Sequence, residues 1–454
     1  MITRSCWFIG EDGRSLVFTF SLVSTLFLLW GFCNGLIDVM DKHFQDELHL
    51  TKAQSAWVQT AHYLGYALMA LPAGMIARAI GYKGGIITGL LVVSAGGFWF
   101  IAATAISSFW AFLLGVSVIA MGLTVLETVA NPYTTALGPK EFGPLRINLA
   151  QSLNGIGWML GPVVGGAFFY SSGGRAVSHE QLALPYIGIA LLVLVLAVVF
   201  YRANVPDVAP PEDPLERAPD VPPDHSRTAG GLDVSGESIW QRPHFVGAVL
   251  AQFLYVAAQA GIFSFFINYM VAESPPLPQS WAHRLLGTGL STREGELFIN
   301  EQGAAELQGL VGFGLFLLGR LTGTALLTRT KASRLLGHYA LINTLLCVVI
   351  VLRLGWLSVA AVFLTFFFMS ISFPTVFALG IDGLGGQVKR ASAFLVMAIL
   401  GGAILPKVMG YLGDLYDMST SFLMPLACFA LIALYAYAWP ALRSGRLGRV
   451  PVRG

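Results

Sequence analysis

Glu127 stands in the apolar run Val125-Leu126-Glu127-Thr128-Val129-Ala130-Asn131-Pro132. A second acid, Asp38, falls within the stretch WGFCNGLIDVMD that begins at Trp30. An ionised group at the centre of a bilayer costs about 2.5–3.5 kcal/mol on insertion scales. Such a group must face a cavity, find a partner or take up a proton. Burial strengthens a carboxylate's hold on its proton, so a cavity-facing acid in oil can load and unload protons. Proton carriage is the chemistry expected of Glu127 and Asp38. Two plainer readings stand beside it. Asp38 lies close to Asp41, Lys42 and His43 and could mark a helix end, and Glu127 could make an interhelical hydrogen bond.

Other polar groups recur at helical spacing. Asn131 is one turn beyond Glu127. Asn148, Gln151 and Ser152 form one stripe, and Gln252, Tyr255 and Gln259 fall at i, i+3 and i+7. Amides both donate and accept, which suits a neutral polyhydroxyl ligand, and Trp30, Tyr255 and Phe373 offer aromatic faces to sugar C–H surfaces. The alternative is that these amides only hold helices together. Lys407 either snorkels to the interface or pairs with an intramembrane acid. His62 is read as a hydrogen-bonded structural histidine, with a proton relay as the alternative. Glycines crowd one helix (Gly155, Gly157, Gly161, Gly165, Gly166) and another (Gly401, Gly402, Gly410), and read as sliding surfaces between helices. No His/Cys/Asp grouping has ligand spacing, so no metal, no cofactor and no enzyme chemistry is expected. The four cysteines, Cys6, Cys33, Cys347 and Cys428, read as small buried hydrophobes.

These residues need elements to hold them. Of 454 residues, 55% are hydrophobic and only 11% charged, against about 25% charged in soluble proteins. A spanning helix takes roughly 20 apolar residues. Twelve such runs fall near 17–40, 54–79, 84–105, 108–136, 146–171, 184–201, 244–271, 303–328, 335–352, 356–380, 390–413 and 421–439. The first is too long for a signal-peptide core and reads as a span. Between the sixth and seventh lies a Pro- and Asp-rich stretch too polar to order itself, read as a flexible cytoplasmic linker over 203–242. It divides an N-terminal six-helix bundle (1–202) from a C-terminal one (243–454). The halves are related: ANPYTTALG at 130–138 returns as SFPTVFALG at 372–380, with Pro132 and Pro374 in register. Related halves around a midplane site are the plan of secondary transporters. With the N-terminus inside, 20 of the 27 Lys and Arg residues, Arg320 among them, fall on the cytoplasmic side. Both termini are therefore expected in the cytoplasm. The absence of an Asn-x-Ser/Thr sequon favours a bacterial inner membrane. The reading is an all-α polytopic membrane protein of twelve transmembrane helices.

Several longer blocks carry a resemblance. GMIARAIGYKGG at 74–85 resembles the loop between helices two and three of the major facilitator superfamily, with Arg78 where an acid is usual. LETVANPYTTALG, RINLAQSLNGIG, FMSISFPTVFALGIDGLG and SAFLVMAILGGAILPKVMGYLGD resemble its fucose–galactose–glucose proton symporter family. The resemblance implies two pseudo-two-fold-related bundles, alternating access, and an essential aspartate and glutamate at the positions of Asp38 and Glu127. It also implies cavity-lining amides at Asn34 and Gln151. Gly35 and Ile37 depart from it, which implies a differently shaped cavity near the first helix. Arg78, Lys83, Arg146, Pro132 and Pro374 are taken as gating or structural positions. The expected function is proton-coupled import of L-fucose or a related hexose by a monomer, with the proton as coupling ion and no nucleic-acid partner. Glucose, galactose or N-acetylglucosamine are alternative sugars. A passive facilitator and a sugar sensor are alternative modes.

Overall fold

In a bilayer each backbone N–H and C=O must be satisfied within its own segment, so long apolar runs become helices. The computed structural model describes residues 8, 15–106, 108–139, 142–170, 184–203, 205, 238–278, 289–327, 329–384 and 387–444. Among the described residues, nine helices are long and apolar enough to cross a membrane. One of them, reaching Ile106, turns back at Gly81 (φ 71°), a conformation that favours glycine, and so supplies two crossings. Gly143–Tyr170 and Leu184–Arg202 complete twelve.

The first half comprises α1 (Val17–Glu47), the short α2 (Lys52–Ser55), the broken α3 (Trp57–Ile106), α4 (Phe109–Ala136), α5 (Gly143–Tyr170) and α6 (Leu184–Arg202). Thr51 and Gln54 form a reciprocal capping box that starts α2. The stretch expected as a linker falls mostly on 206–237, outside the described residues; Ile239–Gln241 forms a 3-10 turn before the second half.

That half begins with α7 (Pro243–Glu273). A small hairpin follows, unexpected for an all-α chain. Its strands β1 (Leu290–Arg293) and β2 (Glu296–Ile299) are antiparallel. Both turn residues, Glu294 and Gly295, have positive φ, as a two-residue hairpin requires. Next come α8 (Glu301–Leu307), a π-helical turn (Gln308–Gly312), α9 (Phe313–Leu327), α10 (Ala332–Val351), α11 (Trp356–Met369) and α12 (Ser372–Ile381). The chain ends through α13 (Val388–Met397), a 3-10 turn (Ala398–Leu400), α14 (Gly401–Leu415), α15 (Met418–Ser421) and α16 (Leu423–Arg443). Leu71, Met75, Leu192, Val195 and Leu434 stay exposed around the outside, the apolar belt a lipid solvent leaves uncovered. Cys33, Cys347 and Cys428 are free and buried; Cys6 lies outside the described residues.

α1 and α7 run parallel, because Asp41 meets Ser264 and Gln45 meets Asn268 near their far ends. The face where α1 begins and α16 ends is here the near face, and the opposite one the far face. The halves are bonded across the far face. The backbone N–H groups of Lys52 and Ala53 both donate to the Asp414 carboxylate at 2.9 Å, and Thr60 donates to the Ala403 carbonyl at 2.6 Å.

Glycines set how closely helices approach. A methyl group on Gly31 would lie 2.1 Å from the Asn154 carbonyl oxygen, and one on Gly157 2.3 Å from that of Leu28. This seam fixes α1 against α5 inside one half, so it is not the sliding surface expected from the glycine count. Gly166 against Ala305, Gly402 against Tyr63 and Gly410 against Lys52 do lie between the halves.

Candidate functional site

The seam places one face of α1 toward the middle of the molecule. Trp30, Asn34, Asp38 and Asp41 follow one another at three- and four-residue steps on it. Opposite stands the first part of α3, with Gln59, His62, Tyr63 and Tyr66. The Gln59 amide donates to Asp38 Oδ1 at 3.2 Å, and the Trp30 indole N–H donates to the Tyr66 hydroxyl at 2.6 Å. Asn34 stands within hydrogen-bonding reach of the same tyrosine. Asp38 is therefore a buried cavity-face residue in mid-helix and not the end of α1, which runs on to Glu47.

Glu127 is half-buried in α4. It acts electrostatically on the Tyr66 hydroxyl. Among the described residues no lysine or arginine forms an ion pair with Glu127 or Asp38. Tyr66 thus stands between Glu127 on one side and the Trp30–Asn34 face of α1 on the other, while Asp38 acts on its neighbour Tyr63. One turn along α4, Asn131 accepts a hydrogen bond from Gln151 of α5 at 3.2 Å. The two amides orient each other beside Glu127. Asn148 lies on α5, but its side chain is outside the described residues.

The second half contributes polar atoms without partners. Gln252 and Tyr255 are fully buried on α7. Neither the amide oxygen nor the amide nitrogen of Gln252 has a hydrogen-bond partner, nor has the Tyr255 hydroxyl. In the first half, Asn34 Oδ1 and Asp38 Oδ2 are also unpartnered. Leaving a buried polar group unpaired costs about 1–3 kcal/mol, so such groups collect where a ligand or water completes them. Tyr63 lies within electrostatic reach of both Asp38 and Tyr255, which brings the two halves to one site. Phe373 meets Tyr255 edge-on with centroids 6.3 Å apart. Gln259 is half-buried one turn further along α7.

One residue of this region was counted elsewhere. Arg320 was assigned to the cytoplasmic rim, yet it lies inside α9, half-buried, with its guanidinium 5.0 Å from the Phe316 ring centroid. Its Nε has no partner, and it acts electrostatically on Tyr255. The signal was available: an arginine flanked on both sides by apolar residues of FGLFLLGRLTGTALL.

Other expected positions sort into structural roles. Arg146, fully buried, donates to the carbonyls of Thr134, Gly138 and Pro139 at 3.1–3.3 Å. It thereby caps the negative end of α4. Lys83 donates to the Ala203 carbonyl at 2.8 Å, tying the turn after Gly81 to the end of α6. Arg78 is exposed. Pro132 lies in the interior of α4, whereas Pro374 lies in the first turn of α12, just past the break that follows Met369. Gly35 has no room for a side chain, since a methyl group there would meet the Trp158 carbonyl oxygen at 2.7 Å, and Ile37 is buried among apolar side chains. Among the described residues Lys407 forms no ion pair with an acid. Its ammonium sits 3.0 Å from the centroid of the Trp57 ring in the other half, a cation–π contact. His62 is buried against the rings of Tyr63 and Tyr66, with Nδ1 unpartnered, so ring packing surrounds the nitrogen expected to hydrogen-bond.

Comparison with known proteins agrees with this geometry. The family model of the Major Facilitator Superfamily matches residues 18–405. The chain is 34% identical over 446 residues to the L-fucose-proton symporter of Escherichia coli (strain K12), covering 94% of each. It is 31% identical over 421 residues to the glucose/galactose transporter of Brucella abortus biovar 1 (strain 9-941), covering 92% of this chain and 93% of that one. Among solved structures it is similar to that of a major facilitator transporter, FucP, in the outward conformation. There the identity is 33%, the coverage 94% of this chain and 99% of that one, and the TM-score 0.62. These relatives bear out the resemblance read from the motifs, and the chain belongs to the Major Facilitator Superfamily.

Proposed function

We propose that this protein imports a sugar together with a proton, L-fucose or a related hexose, by alternating access. One observation carries the reading: two membrane-embedded acids, Glu127 beside Tyr66 and Asp38 beside Tyr63, have no pairing cation among the described residues and lie beside unfilled amides. A permanent ion pair would fix the charge; here it is free to be cancelled by a proton. The L-fucose-proton symporter and the glucose/galactose transporter among the relatives support the substrate class. Their names leave glucose, galactose and N-acetylglucosamine as alternatives to L-fucose.

The positive-charge bias puts the near face, both termini and the 203–242 linker in the cytoplasm of a bacterial cell, between bundles 1–202 and 243–454. The far-face bonds between the halves then make this the outside-closed end of the cycle. Sugar sits between Asn34, Asp38, Asn131 and Gln151 of one half and Gln252, Tyr255 and Gln259 of the other, with Asn148 alongside. Glu127 carries the proton. With no cation beside it, an ionised Glu127 is costly to close upon, so the sugar-loaded protein closes with the proton aboard, and that couples the two cargoes. One charge moved through 100 mV yields about 2.3 kcal/mol, enough for roughly 50-fold accumulation.

The test is transport in vesicles by Glu127→Gln, which mimics the protonated acid. Exchange of labelled for unlabelled sugar persists and uphill accumulation disappears. Accumulation equal to the native level removes Glu127 from coupling. A passive facilitator differs in giving no external alkalinisation when sugar is added.

A further inference from the structure

Asp41 is a third acid in the same helix, one turn beyond Asp38, and the coupling scheme above does not use it. It is 1% exposed. Its Oδ2 accepts a hydrogen bond from the Ser264 hydroxyl of the other half, and its Oδ1 has no partner. Ser55 of α2 also faces it, but the Ser55 proton is already given to the Lys52 carbonyl at 3.0 Å. The ionisable groups around Asp41 offer no positive charge. From α1 itself comes Asp38, and from α5 comes the Tyr170 hydroxyl. Lys42 is committed to Asp46, and the His43 ring stacks on Phe169 with centroids 4.3 Å apart. Neither α2 nor α7 sets a basic group against it; each sets a serine. Next to this contact Asn268 of α7 donates to Gln45 of α1, so the acid lies inside the seam that holds the far face shut.

We infer that Asp41 is a proton-operated latch: the far face closes on Ser264 only after Asp41 has taken a proton from the far-side solvent, and gives that proton back when the face reopens. Open, the carboxylate is hydrated and can stay charged. Closed, it is wedged between two halves without a cation, and a charge there has nothing to offset it. Closure therefore binds one proton, and by linkage it is favoured as far-side pH falls. Because the proton returns to the side it came from, Asp41 sets when the face closes and not how many protons cross. Asp41 is thus a positioning residue of the transport cycle, distinct from Glu127. The inference rests on the alternating-access reading above, but not on the identity of the sugar.

The experiment measures the distance across the far face without sugar. Paired spin labels at His49→Cys and Tyr416→Cys, exposed positions on opposite halves, report closure in the full-length protein in lipid. The Glu127→Gln background removes the coupling acid. With Asp41 present, the closed-to-open ratio rises by up to about tenfold per pH unit as pH falls, the limit for one proton. With Asp41→Asn the ratio changes less than about twofold over the same range. Should that chain not reach the membrane, Asp41→Leu is read in the same way. A pH response that survives either substitution, or that is absent from the Asp41 protein, overturns the latch. Failure of sugar transport in the native protein, with the distance response intact, sinks the symport reading and leaves the latch standing.

Discussion

The two halves share an ancestral plan and divide the labour unequally. Among the described residues, the acids within the apolar core belong to the first half: Asp38, Asp41 and Glu127. From Pro243 onward the acids keep to helix ends and loops, as Glu273, Glu301, Glu306, Asp382, Asp414 and Asp417 do. The second half instead carries the intramembrane cation, Arg320, and the buried unfilled pair Gln252 and Tyr255. Backbone regularity divides the same way. In the first half α4 runs unbroken through Pro132. In the second, the equivalent helix breaks after Met369, a π turn interrupts Gln308–Gly312, and a 3-10 turn interrupts Ala398–Leu400. Such interruptions mark places where a helix bends. The charge chemistry thus rests on α1 and α4, which run without a break in their helical bonding, and the interruptions fall opposite them.

That contrast can be broken. The largest expected effect is Asp38→Asn in the first half. Uphill accumulation falls from roughly 50-fold to none, read as the steady-state ratio of labelled sugar in energised vesicles. Retained accumulation would remove Asp38 from coupling and leave Glu127 of α4 alone in that role. Next comes Tyr255→Phe in the second half. It removes one ligand-facing hydroxyl, so sugar affinity drops about 5- to 10-fold, the worth of one hydrogen bond of about 1–1.5 kcal/mol. Proton uptake per sugar stays as in the native protein; a changed ratio, measured by paired pH and isotope traces, would erase the division between halves.

Smaller effects sharpen the picture of the far face. Asp414→Asn leaves one of the Lys52 and Ala53 N–H groups with a neutral carbonyl acceptor and the other facing an NH2 donor, where each had its own carboxylate oxygen. The closed population falls about 3- to 10-fold, as charge-assisted bonds are roughly twice as strong as neutral ones; labelling of a far-face cysteine checks it. Lys407→Leu loses the cation–π contact with Trp57, about 0.5–1 kcal/mol, and shifts the same labelling rate by about 2- to 5-fold. If the two substitutions change closure equally, the Asp414 contact is not the stronger tie.

Much of this was legible in the chain. The spans were readable because hydrophobic length is a local property, and the turn between the second and third fell at Gly81 between runs 54–79 and 84–105 as read. Glu127 and Asp38 were conspicuous because a charge in oil is rare. Arg320 was equally conspicuous but was given to a loop, since counting cations by side treats each as belonging to an end. The glycines of α5 were visible, but a glycine row does not say which helix lies against it.

The sequence by itself determined that the chain crosses the membrane in twelve passes, that the two halves repeat, and that acids lie within the first of them. Length, hydropathy and helical period are properties of neighbours along the chain, so these needed no third dimension. Only the tertiary structure decided that Tyr66 stands between Glu127 and the Trp30–Asn34 face of α1, that Arg146 caps α4, and that Asp41 meets Ser264, 223 residues away. Which polar atom meets which is fixed when distant helices pack, and the unpaired atoms that mark a binding site exist only once that packing has excluded water from them.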